Sequence, residues 1–290
     1  MSKINIIGGG LTGCVLASRL PDCVIYERNQ IGGLCWETPN YQQFPHIFHT
    51  DYENVVEWLL KYTTIRPFSL SVSNYSQGEY LLFPPKQIND EIFNHRVANY
   101  SFKMWQRPIP EEAIKRIAEK EGRGLYFIDK YQGVLDMNKL FRNLTKDKKI
   151  VQKDVRDDDL KEQIILTGAI DEYFNYRYGR LPYRGMSSVH TRSEVGLPTA
   201  LVFFADLDLP FVRMTDYAQL GFEGNWIGIE FPTSENEKKH YPVNTPDSIE
   251  LYKKYERLAK RKGILLCGRL ATYKYLDMDE CIKQALELEI

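Results

Sequence analysis

The chain opens on a short apolar stretch, Lys3-Ile4-Asn5-Ile6-Ile7, and runs directly into Gly8-Gly9-Gly10-Leu11-Thr12-Gly13. Cys14 to Leu20 then reads as a helix, and Cys23 to Tyr26 as a second strand ending at Glu27. Strand, tight turn, helix and strand around G-x-G-x-x-G is the setting in which this spacing binds a dinucleotide. Gly8 permits the sharp turn, Gly10 lets a pyrophosphate approach the backbone, and Gly13 lets the helix sit close to the sheet. The helix start offers free N–H groups and a partial positive charge to the phosphates. Glu27 is placed to accept hydrogen bonds from ribose hydroxyls. The bland alternative is a structural glycine turn. The acid after the second strand and the Gly32-Gly33 pair that follows favour the dinucleotide.

A chain of 290 residues has room for a sizeable core and one to three domains. Lysine plus arginine number 38 against 39 aspartate plus glutamate, so a generic nucleic-acid binder is not expected. The five cysteines, Cys14, Cys23, Cys35, Cys267 and Cys281, show no metal-ligand spacing and suit reduced cytoplasmic thiols. Met1 leading into a core strand leaves no room for a signal peptide, and no apolar run spans a bilayer. The 19 tyrosines pack sheets or line a cleft for a polar, ring-containing ligand.

Along the chain, His46 and His49 lie three apart with no third ligand nearby, so metal binding is the weaker reading. Thr50-Asp51-Tyr52-Glu53 reads as a capping box, which places His49 on the loop before a helix. Phe68 to Phe83 alternates as a hairpin turning at Ser76-Gln77-Gly78. Glu91 to Met104 reads as helical, with Trp105 just after it. Tyr126 to Ile128 reads as strand and Met137 to Leu144 as helix. Ile164 to Gly168 suits another strand of the first sheet, and Ala200 to Phe204 is an apolar strand. Gln219 to Phe231 is expected to hold two or so strands. Thr245 caps a helix that Gly263 ends, and Asp277 with Glu280 caps the last one. The Gly268-Arg269 strand end before that helix suits a large cofactor, although an ordinary crossover looks the same. Arg184 and Arg213 offer forks for a diphosphate, or surface ion pairs. Tyr100 and Trp105 stack a base, or pack a core.

These runs together resemble the UDP-galactopyranose mutases, flavoenzymes that interconvert the pyranose and furanose forms of UDP-galactose. The likeness covers essentially the whole chain. Its most specific parts are His46-Ile47-Phe48-His49-Thr50, Gly268-Arg269-Leu270 and Tyr273-Lys274-Tyr275-Leu276-Asp277-Met278. It implies an α/β fold with a Rossmann-like FAD-binding domain (1–63, 134–170 and 238–290), an antiparallel β-sheet substrate domain (64–85, 124–133 and 171–237) and a reduced helical domain with a mobile loop (86–123). It implies an isomerase that uses reduced FAD. The flavin N5 attacks the anomeric carbon while UDP leaves, forming a flavin–sugar adduct with no net redox change.

The resemblance also implies roles. Gly8, Gly10, Leu11, Thr12, Gly13, Glu27, Arg28, Gly33, Leu34, Arg269, Tyr275, Asp277 and Met278 contact FAD, and His46 and His49 position its ring. Arg184 and Arg213 hold the diphosphate with Tyr131, Tyr241 and Tyr275. Tyr100 stacks uracil, Trp105 lies on the adjoining loop, and Asp277 lies beside the flavin. Lys120 or Arg123 replaces the arginine of the family's mobile loop. The segment between Pro85 and Tyr100 is shorter than the family's, which alters the interface of an implied homodimer. A cytoplasmic location follows. The other readings are a mutase for another nucleotide sugar, an FAD-dependent oxidoreductase of the amine-oxidase type, and a silent nucleotide-sugar binder.

Overall fold

The computed structural model describes residues 3–84, 89, 91, 93–106, 126–157, 159–233 and 238–290. Five parallel strands form one sheet, in the order Leu265–Leu266, Ile164–Leu166, Ile4–Ile7, Cys23–Glu27, Lys149–Gln152. Parallel strands are covered on both faces, so their side chains are apolar on both. Alternation along each strand then splits them between two cores. Ile6, Ile25 and Ile165 join Cys14, Val15 and Leu16 of the helix Leu11–Arg19 and Ile282 of the last helix, Met278–Glu287. Ile7, Ile164 and Leu166 join Tyr173, Tyr255 and Ala259 on the other side. Each such aliphatic side chain contributes about 1.5–3 kcal/mol by leaving water.

A second sheet has seven strands, in the order Tyr241–Pro242, Tyr183–Arg192, Trp226–Thr233, Arg213–Asp216, Leu201–Phe204, Val72–Ser76, Glu79–Phe83. Its pairs are antiparallel except that Leu201–Phe204 runs parallel to Val72–Ser76. The hairpin turn lies at Gln77 (φ 53°) and Gly78 (φ 84°). Two successive positive φ angles match the twist of the flanking strands. A third sheet pairs Tyr131–Leu135 with Ile47–Thr50 and Ile65–Pro67.

Several local expectations change. Gln219 to Phe231 holds one strand, beginning at Trp226, because 217–225 is spent on turns held by the Asp216 carboxylate. Tyr126 to Ile128 is irregular, and the strand starts at Tyr131. His49 lies on a strand rather than a loop, since Ile47–Thr50 pairs with Tyr131–Val134. Thr50 does not cap the helix Glu53–Leu59, whose N-cap is Tyr52. Its hydroxyl oxygen accepts from the Tyr52 N–H at 3.0 Å, and its proton goes to Asp279 at 2.8 Å. The helix Pro246–Arg261 does begin at a reciprocal Thr245–Ser248 cap and stops before Gly263 at φ 70°. In the last helix, Glu280 accepts from the Asp277 N–H at 2.8 Å. Among the described residues, no helix is long and apolar enough to cross a membrane.

The first helix sits so close to the first strand that a Cβ on Gly13 would lie 1.9 Å from the Gly8 carbonyl oxygen. Gly13→Ala therefore forces the helix off the sheet. It should destabilise the protein by about 3 kcal/mol, the upper end of overpacking. A denaturant titration with an unchanged midpoint would show that the helix has slack at this point.

Candidate active site

A cleft of ≈ 870 Å³ opens at the carboxyl ends of Ile4–Ile7, Cys23–Glu27 and Ile164–Leu166. Ligands of open parallel sheets bind on this side. Gly8, Gly10, Leu11 and Thr12 line it from the turn and the helix start. A Cβ on Gly10 would meet nothing within 4 Å and would occupy the cleft itself. Gly13 does not line the cleft; it supports the turn from beneath. Glu27 lines it from the second strand, its two carboxylate oxygens accepting from the Gly9 N–H (2.7 Å) and the Asn29 N–H (2.8 Å). Arg28 lines it next to Glu172, 3.0 Å away. Gly33, Leu34, His46, Arg269 and Met278 complete the expected set that faces this space.

A cluster of rings and cations adjoins the cleft at Arg269. Its guanidinium lies 5.2 Å from the Tyr241 ring centre and 5.4 Å from that of Tyr275. Tyr241 and Tyr275 stack at 5.5 Å, and Trp105 meets both edge-on at 5.6 and 6.5 Å. Arg269 donates two hydrogen bonds to the backbone carbonyl of Leu276, which holds it in place. Asp277 is an electrostatic neighbour of both Arg269 and Tyr275.

Arg213 extends the cluster. It stands across from Glu230 on the neighbouring strand and donates a fork of hydrogen bonds to that carboxylate, at 2.7 and 2.5 Å. Glu230 is 1% exposed and the Arg213 side chain 20%, so the carboxylate is buried while the guanidinium end keeps a partly open face. Glu230 holds the Arg213 guanidinium above its ordinary pKa in spite of burial. Tyr100, Tyr126 and Tyr241 all lie within its field. Tyr100 stacks on Phe203 at 4.9 Å.

Arg184 is 5% exposed, which rules out a surface ion pair. It donates to the carbonyls of Met104 and Lys103 (2.9 Å to the latter), at the end of the helix Asn99–Trp105 that carries Tyr100 and Trp105. A cation suits a helix C-terminus. Arg184 thus places the two aromatic residues.

Two expected residues stand apart. Tyr131 turns to Glu53 and Lys130, and no ring contact or hydrogen bond joins it to the cluster among the described residues. His49 stacks on Phe127 at 3.7 Å, with Nδ1 3.2 Å from Asp129. It does not line the cleft, whereas His46 does. Lys120 and Arg123 lie outside the described residues. The described residues contain no group of three or more potential metal ligands.

Other contributors went unnoticed in the sequence. Lys239 and His240 both line the cleft, immediately before Tyr241. Lys239 is buried with its ammonium 2.8 and 2.9 Å from the Asp171 oxygens. A lysine and a histidine directly before Tyr241 were the available signal. Glu230 and Glu172 offered none, because an acid in a strand or short helix has no distinguishing pattern.

Burial pushes His46 down to about 4, helped by Arg269 and Arg213, while the Phe44 carbonyl 2.7 Å from Nδ1 opposes the shift. Burial likewise pushes His240 down to about 4. Both rings are neutral at neutral pH and present no positive charge to the cleft.

The UDP-galactopyranose mutase family model matches residues 95–275, more than half of the chain. The chain belongs to the UDP-galactopyranose mutase family, a family of isomerising enzymes. A dTDP-fucopyranose mutase of Escherichia coli is 26% identical, the alignment covering 99% of this chain and 97% of that one. A probable UDP-galactopyranose mutase of Klebsiella pneumoniae is 25% identical, covering 98% and 93%. The crystal structure of a reduced UDP-galactopyranose mutase superposes with a TM-score of 0.71 at 16% identity, over 99% of this chain and 94% of that one. The mixed α/β fold is therefore shared. The E. coli alignment runs over 366 positions against the 290 residues here, so it places gaps in this chain.

The two histidines give a pH signature. Their folded-state pKa values lie below the ordinary 6.5, so their contribution to stability is complete above 6.5 and is lost as pH falls toward 4. His240→Asn should flatten the fall of the unfolding midpoint between pH 6.5 and 4 relative to the unaltered protein. Parallel curves from denaturation at several pH values would show that this ring is not a buried neutral one.

Proposed function

We propose that this protein interconverts the pyranose and furanose forms of a nucleoside-diphosphate hexose, UDP-galactose in the first instance, using reduced FAD. The observation that carries this reading is the joining of two sites at Arg269. A glycine-turn cleft opens on one side of it, and the Trp105–Tyr241–Tyr275 cluster with half-buried Arg213 lies on the other.

The cleft residues fit the cofactor. Open space over Gly10 and the free N–H groups of Leu11 and Thr12 suit a pyrophosphate, and Glu27 suits a ribose. The first turn of the last helix, at Met278, suits negative charge on a reduced flavin. Bound there, a reduced flavin would supply a nucleophilic nitrogen toward the anomeric carbon.

The remaining chemistry belongs to the chain. The substrate's diphosphate carries negative charge that grows as the anomeric bond breaks. Arg213, whose charge Glu230 secures and whose side chain is only partly exposed, offers a fixed charge to meet it. Tyr241 and Tyr275 add hydroxyl donors. Tyr100, with Phe203 behind it, and Trp105 offer faces for a pyrimidine. Neutral His46 closes the cleft without adding a cation that would compete for the diphosphate. Uracil and thymine share the face that stacks, so a dTDP-hexose is the second substrate reading, favoured by the E. coli relative's name.

Purified protein reconstituted with FAD and reduced by dithionite should convert UDP-galactofuranose to UDP-galactopyranose, followed by chromatography of the two nucleotides. Absence of conversion with any UDP- or dTDP-hexose would reject the reading. Arg213→Lys keeps the charge but loses the fork. Turnover should fall on the order of a hundredfold, with flavin content unchanged, and a rate like that of the unaltered enzyme would remove Arg213 from this role. Gly10→Val fills the pyrophosphate space, so the protein should emerge colourless; stoichiometric flavin in its visible spectrum would refute the placement.

A further inference from the structure

The last helix, Met278–Glu287, turns two residues of its first turn into the cleft, Met278 and Cys281. Asp279 lies between them in sequence, does not line the cleft, and is 7% exposed. Capping does not require it, because Glu280 already accepts from the Asp277 N–H. Its Oδ2 accepts instead from the hydroxyl of Thr50 at 2.8 Å, and Thr50 is fully buried. The Tyr52 N–H donates to the same hydroxyl oxygen at 3.0 Å, which aims the Thr50 proton at Asp279. A carboxylate removed from water is costly unless it is held this way. The other charges at this end of the helix are Asp277, Glu280, Lys283 over the Tyr52 ring, and Arg269.

We propose that Asp279 tunes the bound flavin: its buried negative charge, held by Thr50 behind the first turn of the last helix, lowers the flavin's reduction potential. This rests on the reading of the cleft as a flavin site. Reduction adds negative charge to the ring system. The positive end of a helix favours that charge, and an anion beside the same turn opposes it. Asp279 is 7% exposed, so solvent screens this opposition weakly. Asp279 is a positioning and tuning residue; it touches neither substrate nor the reacting atoms. The enzyme works with reduced flavin yet returns it unchanged, so the potential decides how readily the working form persists, not the energy of each turnover.

The test is the midpoint potential of the FAD-reconstituted protein, measured by equilibration with a reference dye. Asp279→Asn keeps the volume and an acceptor for Thr50 while removing the charge, and Asp279→Ser removes the charge and keeps a hydroxyl acceptor in a smaller side chain. Each should raise the potential. A tenfold change in the relative hold on reduced and oxidised flavin corresponds to about 30 mV for a two-electron couple. Glu287→Gln, which neutralises an exposed acid at the far end of the same helix, should leave the potential in place. A folded, flavin-loaded Asn or Ser variant with an unchanged or lowered potential overturns the proposal. Loss of flavin from both variants also overturns it, by showing a purely structural role. An unaltered protein that takes up no FAD would overturn the cofactor reading as well, so the two failures are distinguishable.

Discussion

No side chain fits between the first helix and the turn beneath it. The carbonyl of Gly8 occupies the place where a Cβ of Gly13 would stand, and this contact brings the helix start over the end of the parallel sheet. The free N–H groups of that start then face the cleft, and Glu27 arrives beside them because its strand is the next one in the sheet. The two cores on either side of the sheet hold this arrangement in place.

The second sheet supplies what the first lacks. Antiparallel pairing sets Arg213 opposite Glu230, and a carboxylate out of water keeps the guanidinium charged in an interior that would otherwise disfavour it. Breaking such a pair strands the other charge, which costs about 3–5 kcal/mol. The cation is therefore secured by the register of two strands and not by a flexible surface contact. Arg184 works differently: it ties down the end of the helix that bears Tyr100 and Trp105.

The segment from Lys238 to Tyr241 links the two sites. Lys239 reaches down to Asp171 under the cleft, His240 lines it, and Tyr241 stands in the aromatic cluster. Consecutive residues of one short stretch thus reach the glycine-turn cleft and the aromatic cluster at once. A similar link runs from Thr50 to Asp279, joining the strand after His46 to the helix that begins at Met278.

Much of this was legible in the chain itself. The glycine spacing, the apolar strand before it and the acid after it follow from local backbone rules, which depend on neighbouring residues only. The Asn-Thr-Pro start of the long helix, the Gln-Gly turn and the Asp-Met-Asp-Glu start of the last helix are legible for the same reason. Contacts between distant segments were not legible. Thr50 looked like a helix cap because the capping pattern is local, yet its partner is Asp279, 229 residues away. Tyr131 had the expected residue type but faces Glu53, because strand pairing chose its side of the sheet. Glu230, Glu172, Lys239 and His240 acquire their roles only through strand register and burial. Sequence alone thus determined where the chain turns, where its helices are capped and where the glycine turn opens, whereas the tertiary structure decided which charges meet, since only long-range packing removes them from water and gives each a partner.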